Sequence, residues 1–358
     1  GGNIVAHACL TGDSLIQIAD GSIKQIKEIN KENVASNNFS NMKIVKTAKE
    51  NLFVNKNVKE VYNIKTNFQI NCSSLHRFFT IDNFSIKEIE ARELKEGDFI
   101  AQLGKIDIDG SDQELPLINV KKIGKLSDES AKNLKLEIEK ESISRDEICE
   151  KIGITKRQFR RVLNQNWPTS TNVLGNLQDY FSSRLQLQIM PVQTYKHREL
   201  VIPSMLTPQL AQIYGYFIGD GNFDLRGLRF RDQRESVLHY YNNLFKNQFN
   251  IDGKVSKVKG KNCYNLNINS GAISKFSKLV IPNILEHVAK SKDEVVAGFI
   301  KGFIDAEGHV NKKRPIITVV QKEKQILKYV QLFLLRFGIR STIKFDIEPK
   351  IASTIAPG

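Results

Sequence analysis

The sequence has few of the residues that cross-link a chain or anchor it in a membrane. It contains four cysteines in 358 residues, widely separated and without a Cys-x-x-Cys pair. This spacing excludes a disulfide framework and the common zinc patterns, and it suits a reducing cytoplasm. No apolar run approaches the ~20 residues that a membrane helix needs, and no signal peptide is recognisable, so we expect a cytoplasmic protein without a membrane partner.

Acidic residues are outnumbered. The chain has 53 lysines and arginines against 39 aspartates and glutamates, and its net charge is +14. From residue 204 onward the counts are 24 and 13. A strongly basic balance indicates a polyanionic partner, and basic side chains around phosphates suggest nucleic acid. The length predicts two or three domains, each able to bury a core.

One helical pattern occurs twice. Residues 213–221 read Ile-Tyr-Gly-Tyr-Phe-Ile-Gly-Asp-Gly, and residues 300–308 read Ile-Lys-Gly-Phe-Ile-Asp-Ala-Glu-Gly. On a helix, small residues four positions apart share one face. Two such faces let helix backbones approach closely. We therefore expect these helices to pack together, with small residues in contact at Gly215 and Gly219 on one helix and at Gly302 and Ala306 on the other.

Packing of this kind places Asp220 beside Glu307 at two helix C-termini, where the helix dipole is also negative. We expect a cation between them: Mg²⁺, or Mn²⁺, which keeps water ligands and accepts phosphate oxygens. The following glycines, Gly221 and Gly308, are expected to form left-handed caps. The alternative is two ordinary amphipathic helices with glycine caps, and repetition of the pattern favours function.

The paired pattern resembles the two LAGLIDADG motifs of single-chain homing endonucleases. The resemblance implies an α+β nuclease with two pseudo-symmetric αββαββα repeats, over residues 204–282 and 283–358, that cleaves a long site in double-stranded DNA as a monomer. It also implies that Asp220 and Glu307 bind the catalytic metal. By the same resemblance, three residues complete the site: Gln233 and Gln321 position water, and Lys278 is the candidate for the family's lysine.

A basic strand follows the first motif. Arginines alternate there with apolar residues, and this period of two predicts one face toward DNA and one toward helices. The arginines are Arg226, Arg229 and Arg231, and the apolar residues are Leu225, Leu228 and Phe230.

Residues 9–115 have the features of a compact all-β unit. Short strand-like runs occur at 60–66, 68–72 and 78–81, and Asp20-Gly21 predicts a hairpin turn. The Cys9 thiol could attack the preceding Ala8 carbonyl to give a thioester. His76 would then protonate the leaving nitrogen, and Ser73 would help to stabilise the oxyanion. The alternative is that Cys9 is a small buried apolar residue and His76 an ordinary core residue.

This region resembles the Hint splicing domain of inteins. Cys9 opens it, residues 71–76 (Asn-Cys-Ser-Ser-Leu-His) match the Thr-x-x-His block with Ser73 in the Thr position, and residues 94–98 (Leu-Lys-Glu-Gly-Asp) match a further block. Residues 1–8 then become an N-terminal extein. They resemble a loop of RadA, the archaeal RecA-family recombinase.

Residues 105–120 are polar with a proline and are expected to form a linker, and residues 116–203 are expected to hold the end of this linker and a small helical insert. Residues 144–163 have helix-turn-helix spacing: one helix ends at Gly153 and Thr155 caps the next. The candidate DNA-contacting residues on the second helix are Lys156, Arg157, Arg160 and Arg161. The alternative is a helical hairpin with a solvated basic face.

The sequence also departs from the two families. It does not begin with Met, the second repeat stops before its last strand and helix, and the C-terminal His-Asn block of inteins is absent. We therefore expect a fragment capable at most of thiol-induced cleavage at Ala8–Cys9. Three alternatives stay open: a DNA-binding regulator with a non-catalytic LAGLIDADG scaffold, a hedgehog-type Hint domain, and a recombinase. A recombinase has support from residues 1–8 alone, and the phosphate-binding loop is missing.

Overall fold

The structure is a computed structural model. It describes residues 9–38, 43–47, 54, 58, 60–82, 84–118, 123–165, 169–191, 200–225, 227–311, 313 and 315–344. The flank 1–8, Arg226 and the tail from 345 onward lie outside the described residues, so the predictions made for them are not tested. None of the helices in these ranges combines the length and apolar character needed to cross a bilayer.

Residues 9–115 are built from short antiparallel hairpins. The pairs are β1 (Leu15–Gln17) with β2 (Ile23–Gln25), β3 (Val34–Asn38) with β4 (Lys43–Thr47), β5 (Val61–Lys65) with β6 (Gln69–Ser73), and β7 (Arg77–Asp82) with β8 (Ser85–Glu90). The predicted Asp-Gly turn is present: Gly21 has a φ of +94°, and Asp20 Oδ1 accepts a hydrogen bond from Ser22 N at 2.8 Å. The β content expected here is confirmed for the described part of this stretch.

The next stretch is mostly helical. Its elements are β9 (Ile123–Leu126), α1 (Asp128–Lys140), α2 (Arg145–Ile152), α3 (Lys156–Gln165), β10 (Thr169–Ser170), α4 (Thr171–Phe181) and β11 (Ile189–Pro191). β9 lies between β10 and β11 in a three-stranded sheet. The prediction of a helical insert without strands is therefore wrong. Three very short strands, far apart in the sequence, pair with one another here. Apolar faces of all four helices form one core, with Leu134, Ile148, Phe159, Leu174 and Phe181 almost fully buried.

The first motif begins at α5 (Pro208–Asp220). Thr207 Oγ1 accepts from Leu210 N at 3.1 Å, and Pro208 occupies the first turn, so the predicted helix start is confirmed. After it come β12 (Gly221–Asp224), β13 (Gly227–Asp232), α6 (Glu235–Phe249), β14 (Lys254–Lys257), β15 (Tyr264–Ile268) and α7 (Gly271–Val280). The strands form a sheet in the order β12-β13-β15-β14.

The second motif repeats the first part of this order, a helix followed by two strands and a second helix, after one short preceding helix. The elements are α8 (Ile284–Lys290), α9 (Asp293–Glu307), β16 (Gly308–Val310), β17 (Ile317–Val319) and α10 (Lys324–Arg336), and β16 pairs antiparallel with β17. The strand expected at 340–346 does not form over residues 340–344, so that prediction is wrong there.

The chain packs into two compact units. Unit 1 combines residues 1–115, 205–221 and 279–358, and unit 2 combines 116–204 and 222–278. The domain boundaries expected from the sequence remain predictions. Within unit 1, the start of the expected linker is packed: Ile106 N donates to Leu335 O at 3.2 Å, and Ser111 N donates to Lys290 O at 2.9 Å. Ile106 itself is buried.

Candidate functional site

The two motif helices, α5 and α9, touch through their backbones. A β-carbon on Gly215 would collide with Phe299 O, and one on Gly302 would collide with Gln212 O. Glycine is thus required at both positions by the close approach of the helices. The expected face-to-face packing is confirmed.

The same contact continues to the ends of the helices. A β-carbon on Gly219 would lie 2.5 Å from Ala306 Cβ and 2.9 Å from Glu307 Cγ. The last turn of α5 therefore lies directly against the last turn of α9. Since Asp220 follows Gly219, the two acids end adjacent helices, as the repeated pattern predicts.

The predicted left-handed caps are wrong. Gly221 has φ −90° and ψ 151°, and Gly308 has φ −81° and ψ 132°, so both are extended. The reason is that each glycine is also the first residue of a strand, β12 or β16, and the chain must leave the helix in β conformation. Glycine is still needed at Gly308, where a β-carbon would collide with Ile304 O.

The environment of the paired acids disfavours the charged form of Glu307. Asp220 is exposed and Glu307 is half-buried. Burial raises the pKa of the Glu307 carboxyl above its usual value, and the negative charge of Asp220 raises it further. The two carboxylates therefore repel each other, and a cation between them would relieve this repulsion.

The donor set fits a hard divalent cation. Two carboxylates with open positions suit Mg²⁺ or Mn²⁺, which keep several waters and need few protein ligands. No group of three or more His, Cys, Asp or Glu side chains arranged to hold a metal occurs among the residues that the structure describes.

One of the two predicted glutamines, Gln321, forms a hydrogen bond with Glu307. Gln321 Nε2 donates to Glu307 Oε1 at 3.4 Å, while its Oε1 accepts from Lys322 N at 2.7 Å. It stands between β17 and α10. Gln233 occupies the equivalent place between β13 and α6 and is exposed. The expected positions are confirmed, and their roles with water remain predictions.

The basic strand has the expected two faces over residues 228–231. Leu228 and Phe230 are buried, whereas the arginines lie on the opposite side. Arg229 Nε donates to Asn267 Oδ1 at 3.1 Å, and Arg231 Nε donates to Asn265 Oδ1 at the same distance.

Two details of this strand were not foreseen. Leu225 is fully exposed, so its assignment to the apolar face is wrong; it lies in the turn before β13, where the strand alternation does not apply. Arg229 also pairs with Asp224 on β12. The two asparagines were missed, although Asn265 and Asn267 alternate with apolar residues on β15 in a readable period of two.

Lys278 lies in the last turn of α7 and is exposed. Its ammonium stands 5.3 Å from the centroid of the Phe223 ring, a cation–π contact within unit 2. Its assignment as the family's lysine remains a prediction.

The helix-turn-helix spacing is confirmed in unit 2. Gly153 ends α2 with a φ of +69°. Thr155 begins α3 with a capping box: Gln158 N donates to Thr155 Oγ1 at 3.2 Å, and Thr155 N donates to Gln158 Oε1 at 2.9 Å. The apolar side of α3, which includes Phe159, is buried.

The four basic residues of α3 differ in their surroundings. Arg157 and Arg160 are exposed, Arg161 is half-buried, and Lys156 is exposed but forms a 2.7 Å ion pair with Asp146. That pair raises the pKa of Lys156, first through the hydrogen bond to Asp146. DNA contact by this helix stays a prediction.

The residues expected around Cys9 do come together in unit 1. Cys9 N donates to Ser73 Oγ at 3.0 Å, and Ser73 N donates back to Cys9 O at 2.9 Å. A turn then brings His76 N to Ser73 O at 3.1 Å. The Ser73 hydroxyl thus accepts a hydrogen bond from the amide nitrogen that would leave in thioester formation.

His76 lies in an apolar setting. Its Nδ1 is buried and has no hydrogen-bond partner among the residues that the structure describes, and its ring meets Phe78 edge-on at 5.2 Å between centroids. Burial lowers the pKa of this imidazole below its usual value, so the neutral form is favoured. The predicted role of His76 in proton transfer remains a prediction.

Comparison with known proteins finds a family model that is similar to part of the second half of the chain. Residues 207–279 and 294–354 match the model described as a LAGLIDADG-like domain. The chain is also similar to glutamine–fructose-6-phosphate aminotransferase of Methanocaldococcus jannaschii, with 30% identity over 363 residues, covering 94% of this chain and 32% of that protein. A second relative is an A-type ATP synthase subunit of Pyrococcus abyssi, with 31% identity over 173 residues, covering 46% of this chain and 17% of that protein. The chain spans a third or less of these relatives.

Solved structures of the homing endonuclease I-DmoI also align with part of the chain. Mesophilic variants give a TM-score of 0.33 at 25% identity, covering 39% of this chain and 82% of that one. A complex of I-DmoI with DNA and Ca gives 0.33 at 24% identity, covering 39% and 76%. The family match thus shows that residues 207–279 and 294–354 are similar to LAGLIDADG-like domains.

Proposed function

We propose that this chain derives from an intein-encoded homing endonuclease that cuts both strands of a long DNA site. One observation carries the proposal: backbone contact between α5 and α9 places Asp220 and Glu307 at adjacent helix ends, where burial and mutual repulsion raise the pKa of Glu307. Two carboxylates that repel each other are expected to be held close together where the site binds a cation. The LAGLIDADG-like family match supports the same activity.

The chain's own residues have distinct tasks in this proposal. A divalent cation, when bound, would polarise a phosphate oxygen and activate water. Asp220 and Glu307 supply its carboxylate ligands, and Gln321 fixes the Glu307 carboxylate by the 3.4 Å hydrogen bond. Arg229 and Arg231 on β13, held by their asparagine partners, contact DNA.

The test uses neutral isosteres of the acids. Asp220→Asn and Glu307→Gln should each reduce cleavage of a randomised duplex pool in Mg²⁺ by more than ~100-fold, because metal ligands are lost. Binding to the same pool should persist or tighten, since a negative charge near phosphates is removed. The matched control is Glu294→Gln, at the exposed start of α9, which should cleave normally.

Two outcomes would contradict the proposal. Cleavage by the Asp220→Asn, Glu307→Gln double variant would make the acids structural. Tight DNA binding by the unaltered chain, without cleavage in either Mg²⁺ or Mn²⁺, would favour the regulator with a non-catalytic scaffold.

We infer a second activity, self-cleavage before Cys9. The supporting observation is the close set of Cys9, Ser73 and His76, in which the buried Nδ1 of His76 has no hydrogen-bond partner within the described ranges. The relatives give further support: an aminotransferase and part of an ATP synthase have unrelated names, and each matches over a third or less of its length. A segment inserted into unrelated hosts explains this pattern. A RadA host remains a prediction from residues 1–8.

The chemistry is an N–S acyl shift. The Cys9 thiol gives its proton to the neutral His76 imidazole as its sulfur bonds to the Ala8 carbonyl carbon. The carbon–nitrogen bond then breaks, and the nitrogen takes that proton back from His76. The Ser73 oxygen, already hydrogen-bonded to that nitrogen, orients the leaving group.

The test follows the mass of the full chain in a small thiol. Cys9→Ala should abolish release of residues 1–8, and Ser73→Ala should slow it at least ~10-fold by loss of positioning. Cys263→Ala is the control, since Cys263 is also a half-buried free thiol. Unchanged release by Cys9→Ala would remove Cys9 from its role.

A further inference from the structure

The hairpin of β16 and β17 has an exposed apolar face, formed by Val310, Ile317 and Val319. Val310 on β16 pairs with Ile317 on β17, so both side chains project from the same side of the hairpin, and Val319 follows two residues later on that side. The exposed fractions of Val310 and Ile317 are 62% and 56%, whereas Val319 is half-buried. Adjoining apolar side chains in water are typical of a binding surface.

This apolar face is continuous with the candidate metal site. β16 begins at Gly308, the residue directly after Glu307. β17 ends two residues before Gln321, whose Nε2 donates to Glu307 Oε1 at 3.4 Å. Val310 is three residues beyond Glu307, at most about 11 Å along an extended strand, which equals about three base pairs of duplex. A duplex cut at this acid would therefore lie within reach of the apolar face.

The first repeat has charged residues at the equivalent positions. Counted back from the glutamine that follows each strand, Ile317 and Val319 correspond to Arg229 and Arg231, four and two residues before it. The arginines lie on the side of β13 that we assign to DNA, opposite the buried apolar side. The second repeat therefore presents aliphatic side chains where the first presents hydrogen-bond donors, and the two repeats suit different bases.

The charge around the apolar face suits a polyanion. Residues 309–322 include four lysines and arginines and no aspartate or glutamate. Of these cations, Lys313 and Lys322 are exposed in the described part of the chain. Basic side chains around an apolar centre fit a nucleic acid, because the cations contact phosphates and the apolar side chains remain for base edges. A second copy of this chain, which also carries a net charge of +14, would bring like charges together.

Aliphatic side chains suit one base in particular. In the major groove thymine presents a C5 methyl group that apolar side chains contact, whereas arginine pairs with guanine. We propose that Val310 and Ile317 contact thymine methyl groups, so that the half of the DNA site bound by the second repeat has thymines close to the cleaved phosphate. The half bound by the first repeat has guanines opposite its arginines. This inference rests on the DNA cleavage proposed above and adds the bases that the second repeat selects.

The experiment uses the full chain and a site selected by cleavage of a random duplex pool in Mg²⁺. In the half bound by the second repeat, each thymine is replaced by deoxyuridine, which keeps the O4 acceptor and removes only the C5 methyl group. Binding should weaken about fourfold for each contacted methyl group, the effect of one buried methylene. The same replacement in the other half should leave binding unchanged.

Two variants connect this effect to the apolar face. The Val310→Ser, Ile317→Ser double variant should bind thymine and uracil sites equally, and both positions are exposed, so the fold should persist. Ile317→Arg, which introduces the residue type of Arg229, should change the selected base from thymine to guanine, and the position of that change identifies the half-site. The matched control is Ile339→Ser, since Ile339 is 51% exposed but lies after α10, outside the hairpin. Its preference for thymine over uracil should equal that of the unaltered chain.

Three outcomes would overturn the inference. Equal binding of thymine and uracil sites by the unaltered chain, with cleavage intact, would overturn it alone. A change of oligomeric state in the double serine variant, measured by light scattering, would assign the apolar face to contact between copies of the chain. Absence of both cleavage and a selected sequence would contradict the DNA cleavage proposed above, and the inference with it.

Discussion

The residue with the clearest solution signature is His76. Burial lowers its pKa, so between the folded and the unfolded pKa the unfolded chain binds more protons. The free energy of unfolding is therefore unaffected by this group above the unfolded pKa, near 6.5, and decreases as the pH falls through that value toward the folded pKa. We predict that His76→Gln reduces this acid-side loss of stability, measured by urea unfolding at pH 7.5, 6.5 and 5.5.

His287 provides the comparison. Its pKa is also lowered, chiefly by burial, so a His287→Gln variant should likewise lose less free energy of unfolding than the unaltered protein as the pH falls. A His76→Gln profile that parallels the unaltered protein at all three pH values would show that the imidazole titrates as if exposed.

At the scale of elements, α5 and α9 depend on glycine. Gly302→Ala places a β-carbon against Gln212 O, a backbone atom that cannot rotate away. We predict a loss of about 1–3 kcal/mol in the free energy of unfolding, the usual cost of overpacking. Chemical denaturation measures it.

The control is Gly175→Ala in α4. A β-carbon there meets nothing within 4 Å, so alanine should stabilise by about 0.5–1 kcal/mol through its better helix propensity. Equal stability of Gly302→Ala and unaltered protein would mean that the two helices can separate without cost.

Helix ends and tight turns were predicted well because their signals lie in a few neighbouring residues. The Thr207-Pro208 start of α5, the Gly153 end of α2 and the Asp20-Gly21 turn each depend on near neighbours, and all three are confirmed. Very short strands such as β10, of two residues, escape prediction because their pairing partner is far along the chain. The caps at Gly221 and Gly308 were wrong for a related reason, since the following strand decides the backbone there.

At the scale of the whole molecule, the sequence predicted the paired acids but not how α10 packs. Asp220 and Glu307 could be placed because a repeated pattern implies symmetric packing. Tyr329 and Gln331 on α10 donate hydrogen bonds to Ile23 and Asn67 in the β-rich stretch of residues 9–115, and no periodicity encodes these tertiary contacts. The linear domains expected from the sequence likewise could not show that unit 1 is assembled from three separate stretches.

That assembly determines the order in which the molecule can fold. The hydrogen bond from Tyr329 to Ile23 joins residues 306 positions apart, so the hairpins near the N-terminus can complete their packing only after α10 has been synthesised. The helices of residues 128–181 make contacts of much shorter range, and such contacts form fastest. We therefore expect the middle of the chain to become stable first during translation, before the strands near the N-terminus can pack against α10.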